Sequence, residues 1–431
     1  MTCLHEIAYD LYKLQETYGS AKKLYAKGDW SSHIVRTLGK MRKEAGKDVP
    51  SHVDSSIDEI VLLDRSVDWV TPMCTQLTYE GLLDEVLGLR YGQIRGKSLP
   101  GHEAKKVGGL DEKDPIFREI RDKFYGGARL WVSNTLKEIQ KFRDSDMAAA
   151  DVSSLKGFVS DLREKFSRMP LHTSLLERLG NYMKSVSFAA RQKIEASILD
   201  EDLKIDDIYD RIYKEDDIFI VLRLLCLYCQ ANSGIAKKDY DSLRKDILNT
   251  YGYENIVLLH ALQTSKLLYR KDDKKRSAFS ASKALLGILM EDGQRIDEEN
   301  PNDIHFAYAG YAPLSTRIIQ RAVLGQWNSI GLFLSSIPGD QIEIIQGATD
   351  EGYAQDTIRH VPPVNSSSIG SSLDHRNALV VFVGGVTCAE VSTLRFLASK
   401  KIVPCSFVIA TTKIVNGSSI LASFTENDIF K

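Results

Sequence analysis

The residues best placed for chemistry are the acids that end a short apolar run. In IDEIVLLDRSVDWVTPM, Ile57, Ile60, Val61, Leu62 and Leu63 precede Asp64, Arg65 and Asp68. A β-branched-rich run that stops abruptly at charge reads as a buried strand. Carboxylates at the carboxyl end of a strand in an α/β sheet often mark catalysis or an Mg²⁺ site. The competing reading makes Asp64, Arg65 and Asp68 a buried ion-pair network that ties down the turn. No histidine or glycine-rich loop accompanies them locally, and the structural reading is adopted.

Other constellations carry less. VVFVGGVTCAEV (380–391) is strand, Gly384-Gly385, helix, the layout of a phosphate-binding turn. Thr387 and Glu390 break the full G-x-G-x-x-G pattern, and Glu390 would set an acid beside any phosphate, so the glycines read as close strand–helix packing. GQIRGKS (92–98) is one residue short of a P-loop and follows a helical pattern. Cys226 and Cys229 form a C-x-x-C inside an apolar helix, with no second pair at zinc spacing, and read as core. Asn416-Gly417-Ser418 reads as a turn. The nine histidines form no H-E-x-x-H or Ser/His/Asp pattern, and no cofactor is expected.

These residues need elements to position them. At 431 residues, two or three domains are expected. Hydrophobic content of 43% and charged content of 26% are those of a globular protein, and a formal net charge of −2 argues against nucleic acid as main partner. Cysteines 3, 74, 226, 229, 388 and 405 suit reduced cytosolic thiols. The amphipathic start lacks the apolar core of a secretory signal, and IFIVLRLLCLYC (218–229), with Arg223 inside, suits a buried helix better than a membrane span.

Helices are expected over 4–25 and 32–45, then the strand at 57–63, a break at Thr71-Pro72, and a helix from Leu82 to Leu89. A glycine-rich connector (92–109) precedes long helices at 115–143 and 151–166, which a short join (144–151) makes an antiparallel hairpin. Further helices are expected at 172–198, 205–213, 215–230, 237–250, 253–269, 278–289 and 311–327. A Pro/Ser/Gly-rich stretch (361–377) reads as disordered. Strands at 378–385 and 406–415 flanking a helix form a β-α-β unit. The fold class is thus α/β plus all-α: a discontinuous α/β domain with a mainly parallel sheet and a large inserted helical domain carrying a hairpin. The expected division is 1–98 with 305–431, a hairpin part at 99–200 and a helical part at 201–304.

The first hairpin helix interleaves Arg118, Arg121, Lys123, Arg129, Lys137, Lys141 and Arg143 with Phe117, Phe124, Leu130, Leu136 and Phe142. Such a stripe either packs on its sister helix or docks a partner helix. In YGYENIVLLHALQTSKLLYR (251–270), Tyr253, Ile256, Val257, His260, Leu267 and Leu268 share an apolar face. Val257 and Leu268 are expected in the core, Tyr253 and His260 at the surface, where tyrosine is a frequent anchor.

Four segments resemble the SM (Sec/Munc) family: LLDRSVDWVTPMCTQLTYEGLLDE (62–85), VLRLLCLYCQANSGI with LRKDILNTYGYENIVLLHAL, YAPLSTRIIQ (311–320), and VVFVGGVTCAEVSTLRFL with FVIATTKIVNGSSIL. The resemblance gives Asp64, Arg65, Asp68, Pro72, Gln76, Tyr79, Gly384 and Gly385 as signature residues with a structural role. It implies a non-enzymatic subunit of a HOPS/CORVET-type tethering complex, cytoplasmic and peripheral on late endosome, lysosome or vacuole membranes through its partners. SNARE helices would lie on the hairpin at Arg118, Arg121, Phe124, Arg129, Lys137 and Lys141. A helical-solenoid Vps-class tether subunit would dock at Tyr253, His260 and Leu267. Members usually carry another α/β domain before the point where this chain begins, and that domain normally contributes to the syntaxin cradle.

Overall fold

Five short apolar runs build one sheet. The computed structural model describes residues 2–45, 55–90, 92–94, 109–144, 152–271, 278–291, 293–345 and 376–425. The strands are β1 (Lys23–Lys27), β2 (Glu59–Asp64), β3 (Gln341–Ile345), β4 (Arg376–Val383) and β5 (Cys405–Thr411), in the order β3-β1-β2-β4-β5. All neighbours are parallel except β1 and β3. The α/β part therefore joins stretches far apart in sequence. Every residue of central β2 is buried, as a parallel strand covered on both faces must be.

Side-chain alternation divides two cores. Ile60 and Leu62, with Leu24, Ala26, Leu379 and Val381, face Ala8, Leu11, Ile34, Val35 and Leu38. Those come from α1 (Thr2–Tyr18) and α2 (Asp29–Ala45). Val61 and Leu63, with Tyr25, Val380 and Phe382, face the larger core shared with the helical region. The expected helix over 4–25 stops at Tyr18. Gly19 follows at φ +88°, a conformation glycine tolerates, and the chain turns into β1.

The remaining helices used below are α3 (Tyr79–Leu87), α4 (Pro115–Ile120), α5 (Tyr125–Asp144), α6 (Val152–Met183), α7 (Ile218–Ala231), α8 (Leu314–Val323) and α9 (Cys388–Ser399). The helix expected over 115–143 is two, because residues 121–124 hydrogen-bond to the signature segment. Tyr79 N–H donates to the Lys123 carbonyl at 2.9 Å, Glu80 N–H to Arg121 at 3.0 Å, and Tyr125 N–H to Leu77 at 3.1 Å. Conversely, the break expected near 167–171 is absent: α6 runs through Pro170. Thr71-Pro72 sits in a single helical turn, Val70–Met73. α5 and α6 pack together, while the join at 145–151, most of the 92–109 connector and the stretch 361–375 lie outside the described residues. Among the described residues no helix is long and apolar enough to cross a membrane.

α7 is apolar on nearly every side and is enclosed, as such a helix must be. Its one charge, Arg223, is met from the signature segment. Its guanidinium holds Glu85 at 2.7 and 2.9 Å and donates to the Met73 carbonyl at 2.7 Å and to that of Cys74. Gly417 packs so close that a Cβ there would lie 2.6 Å from Arg223 Nε. Arg223→Ala should destabilise the protein by about 3–5 kcal/mol, because Glu85 is left charged and enclosed. Denaturant unfolding checks this. The Arg223→Met/Glu85→Met double variant should lose less than either single alanine variant, and a single-variant cost within about 0.5 kcal/mol would show that water reaches the pair.

Candidate functional site

Asp64, Arg65 and Asp68 are all buried, but they do not form one network. Asp64 turns to the start of α2, where it accepts from the Trp30 and Ser31 N–H groups, both at 2.8 Å, and from the Ser31 hydroxyl. Arg65 turns the other way. Its Nη1 donates to both oxygens of Glu390 at 3.0 and 2.8 Å, and Nε and Nη2 donate to the Asp68 carbonyl. The Asp68 carboxylate lies 3.6 Å from Arg65 Nη2 and accepts from the Thr71 N–H and hydroxyl and from the Ser315 N–H of α8. Burial pushes the Asp68 carboxyl up, against the pull of Arg65, and Glu390 adds to the push. The expected triad is corrected: Asp64 caps a helix, and Glu390 stands beside Arg65 instead.

Glu390 also closes a capping box at the start of α9. Its carboxylate accepts from Thr387 N–H at 2.8 Å, and its own N–H donates to the Thr387 hydroxyl at 3.1 Å. The T-x-x-E spacing of 387–390 is the signal that could have found this role in the sequence. Gly384 and Gly385, at φ +96° and +117°, let the chain pass over Arg65 and Val415. A Cβ on Gly384 would lie 3.0 Å from that of Arg65, and one on Gly385 2.7 Å from Val415. The close-packing reading of the glycines fits this geometry.

The electrostatic consequence bears on chemistry. A helix N-terminus after a sheet strand offers N–H groups to an anion. At two such termini, those of α2 and α9, a carboxylate of the chain itself already takes the N–H groups, Asp64 and Glu390 respectively. A Cβ at Gly28 would collide with the Asp64 carboxyl, so the strand-to-helix turn is closed around its own acid. The arrangement binds the chain to itself at these two turns.

The other signature residues are tie points. Pro72 is buried, and its carbonyl would be 2.8 Å from a Cβ at Gly417. Gln76 Oε1 accepts from Ala389 N–H at 2.9 Å. Tyr79 hydroxyl pairs with His172 Nδ1 at 2.8 Å, and His172 Nε2 with Asp114 at 3.0 Å. Burial opposes ionisation of Asp114, but bonds from His172, the Phe117 N–H and Arg168 hold its carboxyl well below the usual range. Thr75 binds Glu195, and Asp84 accepts from Asn416 Nδ2 at 2.7 Å. Cys226 and Cys229 are core thiols, the latter pushed up to about 12 by burial. Glu195, Arg223, Asp114, His172, Ser315 and Glu390 were not legible as partners, since each comes from a distant element.

The proposed surfaces lie away from this hub. Arg118, Arg129, Lys137 and Lys141 are exposed. Arg121 and Phe124 instead occupy the break between α4 and α5. Arg121 pairs with Glu112 at 2.6 Å and is only 13% exposed, and Phe124 packs between the two helical cores. In the 251–270 segment, Tyr253 is 69% and Val257 68% exposed, and Ile256 and His260 are exposed too. Val257 is therefore not core, as expected from the sequence, whereas Leu268 is. Leu267 is fully buried, because it follows the tight turn at Lys266 (φ +58°) that returns the chain to α7. It cannot belong to a docking face. An open cleft lined by Asp241, Arg244, Lys245 and Leu248 adjoins Tyr253.

A model of the Sec1 family matches residues 1–423. The vacuolar protein-sorting-associated protein 33 homolog of Arabidopsis thaliana is 33% identical over 434 residues, covering 99% of this chain and 71% of that protein. Vacuolar protein sorting-associated protein 33A of Rattus norvegicus is 32% identical over 446 residues, with the same coverage. Among solved structures, the SM protein Vps45 in complex with the Qa SNARE Tlg2 aligns over 98% of this chain and 69% of its own, at TM-score 0.64 and 16% identity. The Unc18–syntaxin 1 complex from Monosiga brevicollis aligns over 98% and 71%, at 0.65 and 15%. These last two establish likeness of fold.

Within the signature helix, burial pushes the Glu80 carboxyl up to about 7, against the pull of Arg395 and with a push from Asp122. A carboxyl that holds its proton more tightly when folded favours the fold in acid. Its contribution is complete below the ordinary value near 4.5 and is lost as pH rises through about 7. Glu80→Gln cannot ionise. Its stability advantage over the native chain should shrink by about 1–2 kcal/mol between pH 8 and pH 5 in denaturant unfolding. A difference that does not vary with pH would place Glu80 in open water.

Proposed function

This chain belongs to the Sec1 family, and on that premise we propose that it is a non-enzymatic, SNARE-binding subunit of a HOPS/CORVET-type tethering complex. It templates SNARE assembly for endosome, lysosome or vacuole fusion. The observation that carries the reading is its identity of about one third with vacuolar sorting 33 proteins along nearly its whole length. Fold relatives are described in complex with a Qa SNARE and with syntaxin 1, and that partner class is carried to this chain as part of the proposal. Membrane association comes through partners, with peripheral residence on the vacuole, lysosome or late endosome.

In this reading residues 1–98 and 305–431 form the middle α/β domain, 99–200 the hairpin part and 201–304 the tether-binding helical part. The mechanism is positional. Two SNARE helices held in register on the hairpin have surrendered their orientational freedom before the bundle starts, which lowers the barrier to nucleation. The enzyme alternative, an α/β protein binding a phosphorylated ligand, is disfavoured because Asp64 and Glu390 fill the anion positions at the starts of α2 and α9.

Arg118, Arg129, Lys137 and Lys141 are the proposed SNARE-contacting cations. Arg129→Glu with Lys137→Glu should weaken binding of an acidic SNARE motif at least tenfold at low ionic strength, less at high salt, with circular dichroism unchanged. Unchanged affinity at low salt would remove the hairpin from the SNARE site. Tyr253, with Ile256, Val257 and His260, is the proposed tether-docking face, its exposed aromatic ring set among apolar neighbours. Tyr253→Asp should lower affinity for the solenoid subunit by at least about 2 kcal/mol without moving the melting temperature. Normal co-purification of this variant with the tether subunit would dismiss that face.

A further inference from the structure

The base of the hairpin carries an ion cluster centred on Arg395. Between α4 and α5, Asp122 Oδ1 accepts from Arg395 Nη1 at 3.0 Å and from the Ser392 hydroxyl at 2.7 Å, both on α9. The same Arg395 Nη1 lies 3.8 Å from Glu80 on α3. Arg121 braces the far side, 3.5 Å from Asp122 and 2.6 Å from Glu112. One guanidinium on α9 thus faces carboxylates from the helix break and from the signature helix.

These pairs are poor candidates for stability. The side chains of Arg395 and Asp122 are 35 and 29% exposed, and an ion pair that water reaches contributes little; the more enclosed Glu80 lies 3.8 Å away, beyond hydrogen-bond reach. Their placement suits another task. The backbone bonds that hold the break run along a single strip, residues 77–80. Those bonds, the core that Leu82 and Leu83 share with Val132 and Leu175, and the Tyr79–His172 pair locate the joint, and apolar packing of this kind still tolerates small rotations. Asp122 and Arg395 meet to the side of the strip, against α9, where a contact resists such rotation. α9 is itself anchored by Glu390 to Arg65.

We propose that the Asp122–Arg395–Glu80 clasp sets the angle between the α5–α6 hairpin and the sheet, with Arg395 as the positioning residue. The clasp passes hairpin orientation through α9 to the buried Arg65–Glu390 pair. That this orientation matters for SNARE templating rests on the function proposed above; the clasp itself does not.

The test uses the full chain, with Cys3→Ser to remove the one exposed thiol among the described residues, and spin labels at Asn134→Cys on α5 and Ala410→Cys on β5. Asp122→Asn and Arg395→Gln are each expected to raise the population of other label distances about fivefold, the change that ~1 kcal/mol makes in an equilibrium. The double variant should broaden no further than either single, because both break one clasp. Melting temperature should stay that of the labelled parent. Unchanged distance distributions in both singles would overturn the proposal, and so would a large fall in melting temperature, which would make the cluster a stability element. No SNARE is present in this measurement. Failure of SNARE motifs to bind the native chain would therefore count against the proposed function and leave the clasp standing.

Discussion

A guanidinium cannot be enclosed alone, and Arg65 is enclosed. Its charge must be met from inside the fold, by Glu390 and Asp68, and each of those carboxylates must spend its remaining lone pairs on groups equally fixed. Asp68 takes the Thr71 hydroxyl and the start of α8, and Glu390 takes the Thr387 N–H and the Ser315 hydroxyl. Tyr311 and Tyr308 close the set through Thr71 and Thr387. Elements from both ends of the chain therefore share one satisfied polar cluster. A half-made version would leave buried charge, so either all these elements are in place or none is comfortably so.

The segment that follows repeats the device with other partners. Met73 and Cys74 present carbonyls to Arg223, Thr75 meets Glu195, Gln76 meets α9, Tyr79 meets His172, and Asp84 meets Asn416. About twenty residues thus contact the sheet, the hairpin base and the inserted helices in turn. Apolar packing alone would hold these layers together but would tolerate sliding. Polar pairs with fixed geometry select one arrangement, a role that buried ionic groups serve better than they serve net stability.

The same economy governs two of the sheet's strand-to-helix turns. The turn geometry that elsewhere cradles phosphate is present at Gly28 and at Gly384-Gly385. The chain supplies its own anions to it. The surfaces proposed to act lie where this hub does not reach: a basic helix face on the hairpin and an apolar face around Tyr253. A scaffold whose interior is tied so completely can hold such faces at constant separation, which a template requires.

By itself the sequence determined three of the five strands and the long helical middle, but not β1, whose start it took for helix, or the edge strand β3. The apolar run before Asp64, the β-α-β pattern at the C-terminus and the long helical middle all follow from periodicity, and the four quoted segments pointed to the family. It also marked the signature residues as structural. Tertiary structure alone decided who their partners are. Asp64 ends β2 and Arg65 opens the 3-10 turn after it, so the two side chains leave in opposite directions and adjacency suggested a pair that geometry forbids. The 121–124 break is invisible to a helical pattern because it is imposed by backbone bonds from residues 77–80. Leu267 and Val257 exchanged their expected places because a helix stripe shows which residues share a face, and only the neighbouring helices decide whether that face is covered.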